Sequence, residues 1–265
     1  MTPALILSRR DLIAGASAGL GGFLLGGCDR LSRAPSYRNL LDSAEGLTYR
    51  AQRLLQAGQP LAREFPAAAI SPVFKLNGSI QPGGAAYQAL MTDNFASYRL
   101  SIGGLVARPL SLSLDQLKRC PARTQITRHD CVEGWSAIGQ WTGVPLGLIL
   151  KAAALKPNAR YAVFHCADNL TGEPAKGGEQ SPGQYYESVD LTDAFHPQTL
   201  IAYAMNGRML DVPHGAPLRL RVERQLGYKQ AKYVERIEIT DSLARIAGGK
   251  GGYWEDRGYE WYAGI

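Results

Sequence analysis

One thiol stands in unusual company. Residues 127–141 read TRHDCVEGWSAIGQW, so Cys131 follows Arg128, His129 and Asp130 and precedes Glu133, Gly134, Trp135 and Trp141. A cysteine that only fills a core sits more naturally among aliphatic side chains. A cation nearby would favour the thiolate, the form that binds metals. Soft sulfur in turn suits a soft or high-valent metal better than magnesium or calcium. On residue chemistry alone a half-buried structural thiol is an equal reading, because one cysteine does not make a metal site. The segment reads as too polar for the interior of a strand.

A second group lies late in the chain: Arg219, Arg221, Arg224, Lys229, Lys232 and Arg236. It reads as a site for one anionic ligand, or else as a solvated strand face. Nucleic acid is a poor partner for it, because the other basic residues are dispersed through a chain of net charge only +6. No GxGxxG and no Walker loop occurs, which argues against dinucleotide or ATP chemistry.

The elements that must position these residues mix helix and strand without a regular repeat, which points to α+β. Residues 73–81 (VFKLNGSIQ) predict a strand running into a turn at Asn77-Gly78, and residues 98–106 a half-exposed strand with a bulge at Gly103-Gly104. Ser113 caps a short helix stopped before Pro121, and Pro145 opens a buried-face helix over residues 146–155. Further strands are expected over 161–166, 185–191, 218–223 and 232–239, with a polar glycine-rich loop reaching Gly183. Cys166, in an apolar strand, is comfortable reduced, and no structural disulfide is expected.

The N-terminus reads as an address rather than as fold. Residues 8–13 (SRRDLI) form a twin-arginine pattern ahead of a glycine-rich apolar run, marking residues 1–27 as an export signal. The run ends in Leu25-Gly26-Gly27-Cys28, which resembles a lipobox, so Cys28 becomes a lipid-bearing first residue, against the plainer alternative of a soluble exported chain. Residues 28–70 read as a linker and peripheral helical segment, and residues 71–265 as one domain ending in an aromatic tail.

From Val73 onward, several of these segments together resemble the molybdopterin-binding oxidoreductases of the sulfite oxidase superfamily. The similarity is closest to the periplasmic branch of methionine-sulfoxide reductase catalytic subunits. RHDCVEGW places Cys131 where that family donates a thiolate to molybdenum, and FKLNGSIQP matches an early pterin loop containing Asn77. HGAPLR (214–219) and GYKQAK (227–232) are similar to the segments that hold the rest of the cofactor.

The resemblance implies a mixed-sheet α+β fold, a monomer without a C-terminal immunoglobulin-like dimerisation domain, and a molybdenum-molybdopterin cofactor. It implies Cys131 as the metal ligand, with His129, Glu133 and Trp135 shaping the second shell or the substrate entrance. Cofactor contacts are implied for Asn77, His214, Arg219, Gln230, Ala231 and Lys232, and for Cys166 or Asp168 at a strand end. A phosphate dianion at the end of the pterin suits a planar fork such as Arg219 and a point charge such as Lys232. The implied activity is oxygen-atom transfer such as S-oxide reduction on a small oxidised or oxidisable substrate. Electrons would be exchanged with a membrane b-type cytochrome, the protein being periplasmic and tethered to the inner membrane. Sulfite-type oxidation, for which Arg128 is one candidate anion contact, and a non-catalytic cofactor-loaded binding protein are the alternatives. The tail residues Trp254, Tyr259, Trp261 and Tyr262 either cap the site or pack on the surface.

Overall fold

The computed structural model describes residues 35–55, 60–173 and 181–265; the expectations for residues 1–27 and for Cys28 fall outside them. Two units are compact in themselves, Met1–Leu55 and Gln56–Ile265. Of the first, helix α1 (Pro35–Leu55) is described. Among the described residues, no helix is long and apolar enough to cross a membrane. Residues 60–70 belong to the second unit: Phe65 N–H donates to the Ile126 carbonyl at 2.9 Å and Ala62 N–H to Gln198 Oε1 at 2.7 Å. The domain therefore starts ahead of residue 71.

The second unit is α+β, built on two five-stranded sheets. Its elements are α2 (Ala85–Thr92), β1 (Arg99–Gly104), β2 (Leu110–Ser113), α3 (Leu114–Arg119), β3 (Arg123–Asp130), β4 (Ser136–Pro145), α4 (Leu146–Ala153) and β5 (Tyr161–Asn169). There follow β6 (Gln184–Asp190), α5 (Leu191–Ala194), β7 (Leu200–Met205), β8 (Arg208–Met209), β9 (Arg219–Arg221) and β10 (Val234–Thr240). One sheet runs β2-β1-β10-β5-β6 and the other β3-β4-β7-β8, with β9 also on β7. Among the described residues only β1 and β10 pair in parallel, which makes the first sheet mixed. Both sheets and α4 supply one core, including Leu100, Ile102, Val144, Leu150, Phe164, Ile201, Leu220 and Ile237.

Local chemistry explains the short helices. Ser113 Oγ accepts from the Gln116 N–H while the Gln116 side chain accepts from the Ser113 N–H, a reciprocal cap that starts α3. Helix α4 follows Pro145 and ends at Ala154 in the left-handed region, with Leu146, Ile149, Leu150 and Ala153 facing the core.

Three sequence expectations are corrected. Residues 73–81 form no strand. Their carbonyls are taken by side chains instead: Lys232 Nζ donates to Asn77 O at 2.7 Å and also to Ser79 O, and Tyr233 Oη donates to Ser79 O at 2.9 Å. Residues 127–141, despite their polarity, are mostly strand, because alternation buries Gln125, Thr127 and His129 on one face of β3 and turns Arg128 to solvent.

The third correction concerns Gly103-Gly104. No bulge forms there; β1 keeps register with β10 through Gly104↔Ile239. A Cβ on Gly104, whose φ is +81°, would lie 2.2 Å from the Ile239 carbonyl oxygen, so the glycine permits close approach of the parallel strands. Gly104→Ala is expected to destabilise the domain by about 2–4 kcal/mol. Urea unfolding would show this as a lower midpoint with unchanged slope. A wild-type midpoint would mean that the strands can part at little cost.

Candidate functional site

The Cys131 sulfur is presented by the tip of a hairpin. Strands β3 and β4 pair antiparallel up to Asp130↔Ser136, leaving five residues to turn the chain. Cys131 N–H donates to the Trp135 carbonyl at 2.9 Å, and Gly134 N–H to the Cys131 carbonyl at 3.0 Å. Gly134 has φ +84°, which a side chain would strain. Asp130 secures the base of the turn by accepting from Ser136 Oγ at 2.7 Å and Arg128 Nε at 2.9 Å. Trp135 Nε1 donates to Glu133 Oε2 at 2.9 Å across the tip.

The tip opens onto a cavity of about 170 Å³ that Cys131, Val132 and Glu133 line together with Asn77, Gly78, Asp168, Gln230, Ala231 and Lys232. Seven of the expected site residues (Asn77, Cys131, Glu133, Asp168, Gln230, Ala231 and Lys232) thus share one space. Five lie elsewhere. His129 is fully buried in β3, where a Cβ on Gly227 would come within 2.5 Å of its Nε2, so it supports the loop that forms the cavity wall. Burial, Arg219 and Arg221 hold its pKa well below the usual value. Arg221 Nη1 can only donate, and it lies 3.1 Å from His129 Nδ1, closer than the Gln230 oxygen at 3.3 Å. The neutral ring therefore carries its proton on Nε2, which has no partner among the described residues.

Trp135 packs edge-on against Phe74 at 6.1 Å and belongs to a small aromatic cluster beside the hairpin. Cys166 is turned into the main core, so at that strand end only Asp168 presents its side chain to the cavity. His214 is occupied by Asp211 at 2.6 Å, and its carbonyl accepts from Arg219 Nη1 at 3.2 Å. Cys120, Cys131 and Cys166 are each unbridged.

The expected effect of a cation on the thiol is outweighed. Burial raises the Cys131 pKa, and the hydrogen bond from the Glu133 N–H and the charge of Arg219, which pull it down, do not overcome that rise. Without a bound metal Cys131 is therefore held as a thiol, and metal binding must displace its proton. Among the described residues no group of three or more His, Cys, Asp or Glu side chains is placed to hold a metal. A metal at Cys131 would need its other ligands from outside the chain, which is what a dithiolene supplies.

The late basic group is buried rather than solvated, Arg236 excepted, and most of it is paired. Arg221 meets Glu223 at 2.6 Å, Arg224 meets Asp193 at 2.6 Å, Lys229 meets both Glu187 and Glu255 at 2.5 Å, and Arg236 meets Glu238 at 2.7 Å. Arg219 and Lys232 have no carboxylate partner among the described residues. Arg219 Nε and Nη2 are buried with no hydrogen bond at all.

Burial and Arg221 bring the Arg219 pKa down to about 9, and burial and Arg219 bring Lys232 down to about 7. Asp168, whose Oδ1 is also unpartnered, is pushed up to about 7 by burial. Arg219 brings two buried, unpartnered nitrogens, and Lys232 a positive charge whose N–H groups are held by the carbonyls of Asn77, Ser79 and Pro213. A guanidinium with free donors beside that charge fits the phosphate end of the expected cofactor. The backbone from Gly227 to Lys232 closes around the same space.

Sequence reasoning did not single out Tyr185 or Leu170, which also line the cavity, and it gave Tyr228 no role beyond its place in the GYKQAK segment. Tyr185 follows an ordinary strand pattern and Leu170 lies just past the end of β5, and nothing in their neighbours marks them. The tail divides: Trp254 and Tyr259 line the cavity, stacked with centroids 5.3 Å apart, while Trp261 packs against Tyr161 and donates to Ser188 Oγ.

Residues 87–245 match the family model described as oxidoreductase molybdopterin binding domain. The chain is 40% identical over 169 residues to the subunit YedZ1 of Azospira oryzae, covering 64% of this chain and 56% of that protein. Two protein-methionine-sulfoxide reductase catalytic subunits named MsrP are also similar. The Xanthomonas axonopodis pv. citri protein is 35% identical over 161 residues (60% of this chain, 50% of that one), and the Gluconobacter oxydans protein 38% over 149 (54% and 47%). The chain spans about half the length of these curated relatives. A solved structure of the sulfane dehydrogenase SoxCD from Paracoccus pantotrophus aligns with TM-score 0.47 and 25% identity over 56% of this chain and 39% of that one.

Lys232 has a simple sign. A lysine whose folded pKa is depressed binds its proton more weakly in the folded state. The cofactor-free protein therefore loses stability as pH falls from the ordinary lysine range toward about 7. Inorganic phosphate should offset that loss, by about 2.7 kcal/mol at a hundred times its Kd. Differential scanning calorimetry should show the shift in the cofactor-free protein and its absence in Arg219→Met and Lys232→Met. A phosphate response surviving both substitutions would place the anion elsewhere.

Proposed function

Because the chain belongs to the oxidoreductase molybdopterin-binding family, we propose that it is an exported enzyme that reduces S-oxides with electrons drawn from a membrane b-type cytochrome. The observation that carries this reading is a single sulfur, Cys131, sharing one cavity with Lys232 and acting within the field of Arg219. Bound there, the molybdenum-pterin group would supply the exchange of an oxygen atom and the storage of electrons.

The chain supplies position, protons and a dry wall. Cys131, once deprotonated, would be the protein sulfur that holds the metal. Arg219 and Lys232 would take the phosphate, and Asn77, Gln230 and Ala231 lie along the same cavity to hold the ring system. His129 holds Gly227 from below.

The reduction consumes two electrons and two protons: the S-oxide becomes a sulfide and the oxygen leaves as water. Asp168, with its pKa near 7 and a free Oδ1, can keep a proton at the cavity at neutral pH. Val132, Leu170, Tyr185, Tyr228, Trp254 and Tyr259 give the cavity an apolar, largely aromatic side, which favours contact with a sulfur-bearing apolar group.

Sulfite-type oxidation draws less support. Arg128 is spent on Asp130 and faces solvent, and no arginine lines the cavity among the described residues. The relatives' names support S-oxide chemistry. The twin-arginine pattern and Cys28 support export and a lipid tether beside the membrane donor.

The purified protein is expected to contain molybdenum and releasable pterin, and to oxidise reduced viologen with methionine sulfoxide or dimethyl sulfoxide. Cys131→Ser should fold, lose molybdenum and show no turnover above background. Molybdenum retained with undiminished turnover in that variant would remove Cys131 from the centre. Bound metal without turnover on any S-oxide, N-oxide or sulfite would leave a binding protein instead.

A further inference from the structure

A second cavity, of about 800 Å³, lies on the opposite face of the β10-β5-β6 part of the first sheet. His165, Tyr186, Arg236 and Glu238 form its floor, while their strand neighbours Phe164, Tyr185 and Ile237 point into the core. Residues 245–257 of the tail form its wall. Its cations are Arg236, Arg245 and Arg257, all exposed.

The groove's acids are already engaged. Glu238 is shared between His165 at 2.9 Å and Arg236 at 2.7 Å. Asp256 accepts from Tyr186 Oη at 2.6 Å and from the N–H groups of Gly248 and Lys250. Arg245 makes no described hydrogen bond or ion pair. The groove therefore presents net positive charge to solvent.

One aromatic contact separates this groove from the catalytic cavity. Tyr253 lines the groove, Tyr185 lines the catalytic cavity, and the two rings stack with centroids 5.7 Å apart and planes 26° apart. Arg257 lies 3.6 Å over the outer face of Tyr253. Trp254, next in sequence and 5.2 Å from the Tyr253 ring, lines the catalytic side again. Electron tunnelling weakens steeply with distance through saturated groups, so a stacked pair spanning a wall shortens the route.

We propose that this basic groove is the docking site of the electron donor. The donor is a redox protein carrying an acidic rim around an exposed one-electron centre, and Tyr253–Tyr185 is the path inward. The inference rests on the S-oxide reductase reading above. Two donor encounters, each oxidising the partner by one electron, supply the two electrons that with two protons convert S-oxide to sulfide and water. Opposite charges would steer the encounter and make it salt-sensitive. The arrangement separates electron entry from substrate entry, whose lining includes the exposed Val132 and Tyr259 instead.

The probe is flavodoxin, a small acidic one-electron protein. It should bind the cofactor-free protein in low salt and release in high salt, and Arg245→Glu should weaken binding at least about fivefold. In the loaded protein the same variant should slow flavodoxin-driven S-oxide reduction while leaving viologen-driven turnover unchanged. Tyr253→Leu should keep flavodoxin affinity and slow flavodoxin-driven electron entry, and Tyr253→Phe should restore it.

Absence of flavodoxin binding to the wild type, binding indifferent to Arg245→Glu, or a wild-type rate in Tyr253→Leu would each overturn the proposal. Loss of viologen-driven turnover in the wild type itself would instead strike the reductase reading beneath it.

Discussion

Arg219 and Lys232 are buried side by side without an anion of their own, and the rest of the site is arranged around that deficit. Neighbouring cations in this fold are neutralised where they stand: Arg221 by Glu223, Arg224 by Asp193, Lys229 by two glutamates. A protein that matches charge so carefully elsewhere leaves two positive groups facing each other's field, and both are driven toward the neutral form. Such a pair is costly until a ligand supplies the missing charge. The folded chain is thus one half of an ion pair.

The matched charges serve as joinery. Glu187 follows Tyr185 by two residues, Lys229 follows Tyr228, and Glu255 follows Trp254, and all three aromatic residues line the catalytic cavity. Their ionic partners meet just behind them, with side chains essentially shielded from water. Burial and the neighbouring Glu255 raise the Glu187 pKa well above the carboxylate range, against the pull of Lys229. Three separate stretches of chain are drawn together by one lysine held between two glutamates.

The sequence made the lining of the cavity more legible than its scaffold. Cys131, Asn77, Asp168, Gln230, Ala231 and Lys232 were recognisable because unusual residue types lay at a family's spacing, and the cavity collects all six. His129, Cys166 and His214 carried the same signal but serve from behind, since motif spacing does not reveal which way a strand turns its side chains. The expected strand over residues 73–81 failed for a related reason. Alternating polarity shows that a segment can extend, whereas a ladder needs a neighbour, and Lys232 and Tyr233 had already claimed its carbonyls. Polarity misled in the opposite direction for β3, where buried Gln125 and His129 find partners across the domain.

The parallel pairing of β1 with β10 has a temporal consequence. The hairpin bearing Cys131 closes between strands adjacent in sequence, but the basic loop beside Lys232 is anchored when β10 meets the distant strands β5 (Val234↔Cys166) and β1 (Ser101↔Arg236). Local contacts form sooner than distant ones during folding. A nascent or refolding chain therefore displays its thiophilic tip before the anion cradle exists. In that interval zinc or copper ions compete for the sulfur on favourable terms, so faithful metallation depends on when the correct ligand arrives as much as on how tightly it is held.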